Sequence, residues 1–178
     1  MAIGFIEIAL HPKTEDEFFS VMKDHVKNMH HITGRHDIII EIDYKNIREV
    51  LSILEYIEKL NYVIRARHIT VTQRIKDDLV RVETIPSSDR AAIYRNHLCV
   101  FVGINLKPGA DRWHHEVKRL PEVKRLFLTK GPYHALAVVV GRNMEEITET
   151  LERIRELRDV KNTETFFILA SERRDVYG

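Results

Sequence analysis

The sequence predicts an α+β chain of two tandem βαββαβ units, each a four-stranded antiparallel sheet carrying both of its helices on one face. The first supporting observation is an internal repeat, which fixes architecture ahead of any single motif. Phe5-Ile6-Glu7-Ile8-Ala9-Leu10-His11-Pro12 aligns with Phe101-Val102-Gly103-Ile104-Asn105-Leu106-Lys107-Pro108 at an offset of 101 − 5 = 96. After one inserted residue the offset is 97, and Gly34, Asn46, Glu49, Leu54, Ile57, Leu60 and Val63 fall on Gly131, Asn143, Glu146, Leu151, Ile154, Leu157 and Val160. The second observation is that hydrophobic spacing alternates between strand and helix periods in the same order in both copies. The third is composition. Of 178 residues, 44% are hydrophobic and 31% charged, with 7 Gly and 5 Pro, a balance that suits a packed core rather than a disordered or low-complexity chain.

Alternation makes Ile3 to Leu10 the first strand. Thr14, with Glu17 three residues on, has the spacing of a capping box and opens a short helix with Phe18, Val21 and Met22 on one face. Its counterpart carries Trp113, Val117 and Leu120 and stops at Pro121, which cannot continue a helix. Strands follow over 25–33 and 37–43 around Gly34, and over 123–129 and 134–140 around Gly131, where glycine suits a turn of positive φ. Asn46 and Asn143 cap the second helices, with Glu49 and Glu146 completing each cap. The apolar stripes are Ile47, Val50, Leu54, Ile57 and Leu60 in one copy and Met144, Ile147, Leu151, Ile154 and Leu157 in the other. Closing strands run over 63–73 and 160–170.

This element order is the ferredoxin-like arrangement. It sets domains at 1–75 and 97–178 and a linker over 76–96 that includes Ile85-Pro86-Ser87-Ser88-Asp89. Each sheet keeps a face without helices, and the two bare faces are expected to cover each other as a pseudo-dimer within one chain. Strand parity turns Ile38, Ile40 and Ile42 toward the helices and puts Asp37, Ile39, Glu41 and Asp43, with Glu7, on the bare face. Copy two has Leu136, Val138 and Val140 where copy one has Ile39, Glu41 and Asp43. Because burying unpaired carboxylates costs several kcal/mol each, the acids are expected to pair, with Arg65 and Arg67 as partners, or to stay wet.

Charge and composition exclude several classes. There are 28 Lys/Arg and 27 Asp/Glu, a net 28 − 27 = +1, too little for broad electrostatic binding to nucleic acid. Residues 1–88 hold 12 basic and 14 acidic side chains, 12 − 14 = −2, and 89–178 hold 16 and 13, 16 − 13 = +3. That excess, including Lys118, Arg119, Lys124, Arg125 and Lys130, reads as solvated surface, since no aromatic residues interleave with it as stacking platforms. Apolar runs such as Ile38 to Ile40 and Ala137 to Val140 are far shorter than a bilayer span. With no export signal read at the start of the sequence and a single cysteine, Cys99, expected to be a buried inert thiol, a cytoplasmic protein is expected.

The segments Leu120-Pro121-Glu122-Val123, Thr129-Lys130-Gly131-Pro132-Tyr133-His134 and Val160-Lys161-Asn162-Thr163-Glu164-Thr165 resemble the ligand-sensing domain of Lrp/AsnC transcription regulators, the ACT-like RAM domain. Copy one shows the same pattern in Ile32-Thr33-Gly34-Arg35-His36-Asp37, close to that family's Thr-Gly-x-aromatic-Asp turn. The resemblance implies sheet pairing, further assembly and a small effector, an amino acid or similar molecule, bound at subunit interfaces near the glycine turn. It departs from the family in that the sensing pattern begins within the first few residues, without the helix-turn-helix, so direct DNA binding is not expected.

The turn chemistry suits an amino acid. Backbone N–H groups around Gly34 offer a carboxylate nest and Asp37 an ammonium partner. In copy two Lys130 stands for Thr33, Tyr133 for His36 and His134 for Asp37, so the ammonium partner is lost. The candidate ligand residues are therefore Thr33, Gly34, Arg35, His36 and Asp37, with Lys130, Gly131, Pro132, Tyr133 and His134 as a degenerate or altered second site. The alternative is a hairpin turn whose Asp fixes local geometry. No catalytic residue, metal ligand or cofactor is expected: His30-His31 and His114-His115 point apart on a strand and a helix, and nothing pairs a nucleophile with a base. The resulting reading is a non-enzymatic effector-sensing module that forms homo-oligomers or complexes with related regulators. The alternatives are a ligand-independent interaction module and an enzyme like the sirohaem decarboxylases, which resemble the same regulator family.

Overall fold

The computed structural model describes residues 1–78 and 97–173. Among these the order is β1 (Ala2–Leu10), α1 (Glu15–Met22), β2 (Asn28–Ile32), β3 (Ile38–Tyr44), α2 (Ile47–Glu58) and β4 (Val63–Asp77). Then come β5 (Leu98–Leu106), α3 (Trp113–Val117), β6 (Val123–Lys130), β7 (Ala135–Gly141), α4 (Met144–Arg155) and β8 (Val160–Arg173). Two compact units result, residues 1–71 with 168–173, and residues 72–78 with 97–167. The sheet of unit 1 runs β4-β1-β3-β2 and that of unit 2 runs β8-β5-β7-β6, with neighbouring strands antiparallel. Both are the ferredoxin-like order that the sequence predicts. The expected linker segment from Ile85 to Asp89 lies outside the described residues.

Two strands run longer than their expected ends. β4 passes Gln73 to Asp77 and β8 passes 170 to Arg173. The tail of β8 pairs with β2 in unit 1, and the tail of β4 lies beside β6 in unit 2. A bare edge strand exposes a row of N–H and C=O groups, and both tails supply partners to such edges. Ile75, on the β4 tail, packs against the core of unit 2.

Each core follows the predicted parity. In unit 1 Ile6, Ile8, Ile38, Ile40 and Ile42 meet Phe18, Met22, Val50 and Ile57. In unit 2 Val100, Val102, Ala135, Ala137 and Val139 meet Trp113, Val117, Ile147 and Ile154. The stripes begin outside the core, since Ile47 and Met144 are 53% and 50% exposed. The Asn46 side chain accepts from the N–H groups of Arg48 and Glu49, and Asn143 accepts from that of Glu146. Glu49 and Glu146 return bonds to the amides of Lys45 and Arg142, both 2.8 Å. Asn46→Ala is expected to cost about 1 kcal/mol, read as a lower urea midpoint; an unmoved midpoint would show the cap to be idle.

The Thr14 capping box does not form. Its hydroxyl donates to the His11 carbonyl instead (2.6 Å), and α1 has no side-chain cap. The second strand is also shorter than expected, because the His25 amide turns back to the Met22 carbonyl and Val26 joins the core. No helix among the described residues is long and apolar enough to cross a membrane.

Candidate functional site

The β2–β3 turn is closed by the Ile32 amide donating to the Asp37 carbonyl (3.0 Å), with Gly34 at φ 105°. Gly34 and Arg35 are exposed, Thr33 and Asp37 half-buried and His36 buried. Asp37 is engaged locally: its amide donates to the Ile8 carbonyl (2.9 Å) and its Oδ2 accepts from the Leu10 amide at 2.7 Å. Leu10 sits where the β1–β4 register shifts. A bulge takes an amide out of the ladder, and the carboxylate restores its partner.

The second turn repeats this with different chemistry. Gly131 has φ 120°, the Thr129 amide donates to the His134 carbonyl, and the His134 amide donates to the Ile104 carbonyl. His134 Nδ1 then accepts from the Leu106 amide at 2.9 Å, beside the matching shift at Asn105/Leu106. Asp37 and His134 thus do one local task with two side chains. Lys130, Gly131 and His134 are exposed, Pro132 is half-buried and Tyr133 buried.

Beneath the first turn lies a charged network. His36 Nδ1 is 2.8 Å from Glu7 Oε2, with both side chains 0% exposed, and Arg67 Nη2 donates to the same oxygen at 2.8 Å. Arg65 Nη2 is 3.1 Å from His36 Nε2. Arginine only donates, so in this contact Nε2 is on the acceptor side, while Nδ1 faces Glu7. Burial alone raises the Glu7 carboxyl, but the contacts with His36 and Arg67, through hydrogen bonding and charge, outweigh it and hold the group below its ordinary 4.5. Of the two expected arginine partners, Arg67 meets a carboxylate, whereas Arg65 meets the histidine. On the same face Glu41 accepts from Asn28 Nδ2 (2.9 Å), and Asp43 is 3.5 Å from Lys27.

Unit 2 builds the equivalent positions differently. Gly103 stands for Glu7, and a Cβ there would lie 2.5 Å from the Tyr133 ring. Tyr133 in turn donates to Glu164 Oε2 at 3.0 Å. Phe101, Phe127, Leu136, Val138 and Phe166 are buried, so Val138 is apolar where unit 1 has Glu41, and Glu164 and Arg125 supply the charge on this face.

The Glu7–His36 contact was not among the sequence expectations, yet a signal for it exists in the repeat register, where Glu7/His36 falls opposite Gly103/Tyr133 as a paired exchange. Arg125 is not the solvated residue expected: it is 7% exposed, holds Asp77 through Nε (2.9 Å) and Nη2 (3.3 Å), and covers the Phe127 ring. The β4 tail brings Asp77 to it. His30 and His31 part as expected, His31 stacking on Phe19 at 4.2 Å, but the His114 and His115 rings come within 4.3 Å. Among the described residues no group of three or more His, Cys, Asp or Glu could hold a metal ion. Cys99 is partly buried.

Comparison with known proteins bears on the second unit first. Residues 99–176 match the family model of the Lrp/AsnC ligand binding domain. No curated protein matches the chain. Among solved structures, the siroheme decarboxylase NirDL is similar at TM-score 0.67 and 11% identity, covering 95% of this chain and 71% of that one. The same enzyme in co-complex with an iron-uroporphyrin III analogue gives 0.66. The chlorite dismutase of Candidatus Nitrospira defluvii gives 0.53 at 10% identity, covering 94% of this chain and 90% of that one. At these identities the likeness is one of fold.

Proposed function

We propose that the chain is an effector-sensing module that binds an amino acid or related small carboxylate at the 33–37 turn and signals by changing its assembly with further copies or with Lrp/AsnC-type regulators. The observation that carries this reading is the match of residues 99–176 to a ligand binding domain. The exposed residues Arg35 and Arg65 flank the turn for a carboxylate, and the half-buried Asp37 side chain offers an ammonium partner. A binding role suits the network better than proton transfer, because Arg65 already occupies the His36 nitrogen that faces away from Glu7. Such signalling requires unequal affinity of the two assembly states for the effector.

Asp37→Asn separates recognition from local structure, since asparagine still accepts from the Leu10 amide but lacks the charge. The expected outcome in calorimetry against an amino-acid panel is lost binding with little change in melting temperature. Asp37→Ala is expected to lose binding and about 1–3 kcal/mol of stability, the cost of stranding a half-buried amide. Saturable binding that survives Asp37→Asn would remove the turn from the proposal.

A second reading, a ligand-independent interaction module, is favoured by Ile47 and Leu51 on α2, which are 53% and 56% exposed one helical turn apart. It predicts capture of a regulator without any small molecule, and loss of that capture in Leu51→Glu.

A further inference from the structure

On the helix-free face of unit 1, His36 sits between an acid and a base. Its Nδ1 is 2.8 Å from Glu7 Oε2 and its Nε2 is 3.1 Å from Arg65 Nη2, with the imidazole buried. Charged groups reach it from two strands: Glu7 from β1, and Arg65 and Arg67 from β4, Arg67 donating to Glu7 Oε2 at 2.8 Å. Arg35 and Asp37 flank it in the chain, Arg35 exposed and the Asp37 carboxylate turned to the Leu10 amide. His30 of β2 and Glu41 of β3 are buried on the same face.

The two ring nitrogens differ in what they tolerate. A guanidinium has only N–H groups to offer, so the Arg65 contact is attractive only while Nε2 carries no hydrogen. A proton added there sets two donors 3.1 Å apart and gathers three cations, His36, Arg65 and Arg67, around the single Glu7 carboxylate. Close like charges disfavour that state, so one cation must give way. Arg67 is bonded to Glu7 and 32% exposed, whereas Arg65 is exposed and joins through His36. Arg65 is the one free to leave. The repeat replaces all four residues together, with Gly103, Tyr133, Asn162 and Glu164 in register with Glu7, His36, Arg65 and Arg67.

We propose that Arg65 is a proton-released latch: it ties β4 to the β2–β3 turn while His36 is neutral with its hydrogen on Nδ1, and it lets go when Nε2 takes a proton from solvent. Imidazoles change charge between about pH 5 and 8, so mild acid frees a guanidinium beside the exposed turn. The latch does not rest on effector binding at that turn, and its test uses no effector.

The test is a pH titration of the whole protein carrying isotope-labelled histidine and arginine, followed by side-chain NMR from about pH 8 to about pH 5. At the alkaline end His36 is expected to carry its hydrogen on Nδ1. On acidification it gains the second, and the Arg65 side-chain signal moves to that of a solvated arginine with the same midpoint. Arg65→Met, a change at an exposed site, is expected to raise the His36 midpoint by about one pH unit, because the opposing guanidinium is gone. The latch is overturned by a hydrogen on Nε2 at the alkaline end, by a His36 that does not change charge over the range, by an Arg65 signal that does not follow His36, or by an unmoved midpoint in Arg65→Met.

Discussion

Arg67→Met is expected to destabilise the protein by about 3 kcal/mol, the low end of the cost of breaking a buried ion pair. The methionine fills a similar volume, so the loss is electrostatic: Glu7 stays fully buried and retains only His36 as a donor. The low end applies because Arg67 is itself 32% exposed, which lets water reach the vacated position. Glu7→Gln in the same background is expected to restore most of the loss, since glutamine carries no charge and still accepts from His36 Nδ1. Urea unfolding of the wild type, the single variant and the double variant measures this directly. A double variant no more stable than Arg67→Met would mean that stranded charge is not the cause.

The pH dependence follows from the sign of the Glu7 shift. The folded carboxyl titrates below its ordinary 4.5, so its contribution is fully present above that value and fades as pH falls through the lower folded pKa. In Arg67→Met burial acts with one opposing partner fewer, and the folded carboxyl moves up. The gap between wild type and variant is therefore expected to narrow in acid, where Glu7 is protonated in both. A gap that stays constant from neutral pH to below 4 would exclude Glu7 as the titrating group.

What the sequence made legible follows from which interactions are local. Strand parity alone put Glu7 and Glu41 on the helix-free face, and the asparagine caps were readable because a cap joins residues three apart. The partners of those acids were only partly readable. Arg67 emerges because it lies across the ladder from Glu7, but His36 reaches Glu7 from a turn whose backbone path is set by Gly34 and by the Asp37–Leu10 bond. The bulge at Leu10 gives no sequence signal of its own, so Asp37 reads as a free ligand group until the strand register is seen. Likewise no turn residue marks the end of β4, and the alternation through Arg74, Ile75 and Lys76 continues the strand to Asp77, which is how Arg125 finds its partner.

Tyr133→Ala is expected to cost about 3–4 kcal/mol, as removal of a buried aromatic side chain does. The ring is 2% exposed, packs edge-on to Phe166 with centroids 6.2 Å apart, and its hydroxyl bonds Glu164. Gly103→Ala is expected to cost about 1–3 kcal/mol by overpacking, because the added methyl meets three ring carbons at 2.5–2.8 Å. Gly103 has no positive φ, so space and not backbone conformation requires glycine there. In the Tyr133→Ala background the Gly103→Ala penalty is therefore expected to vanish, a coupling of about 1–3 kcal/mol in a double-mutant cycle. Additive losses would show that the ring does not press on Gly103. The coupling matters beyond stability, because it explains why the repeat exchanges two residues together: a carboxylate beside an imidazole in unit 1 becomes nothing beside a phenol in unit 2. The Tyr133 ring lies over the spot where unit 1 keeps its charge, so the second turn lacks both the buried ion pair and the carboxylate that Asp37 supplies in the first.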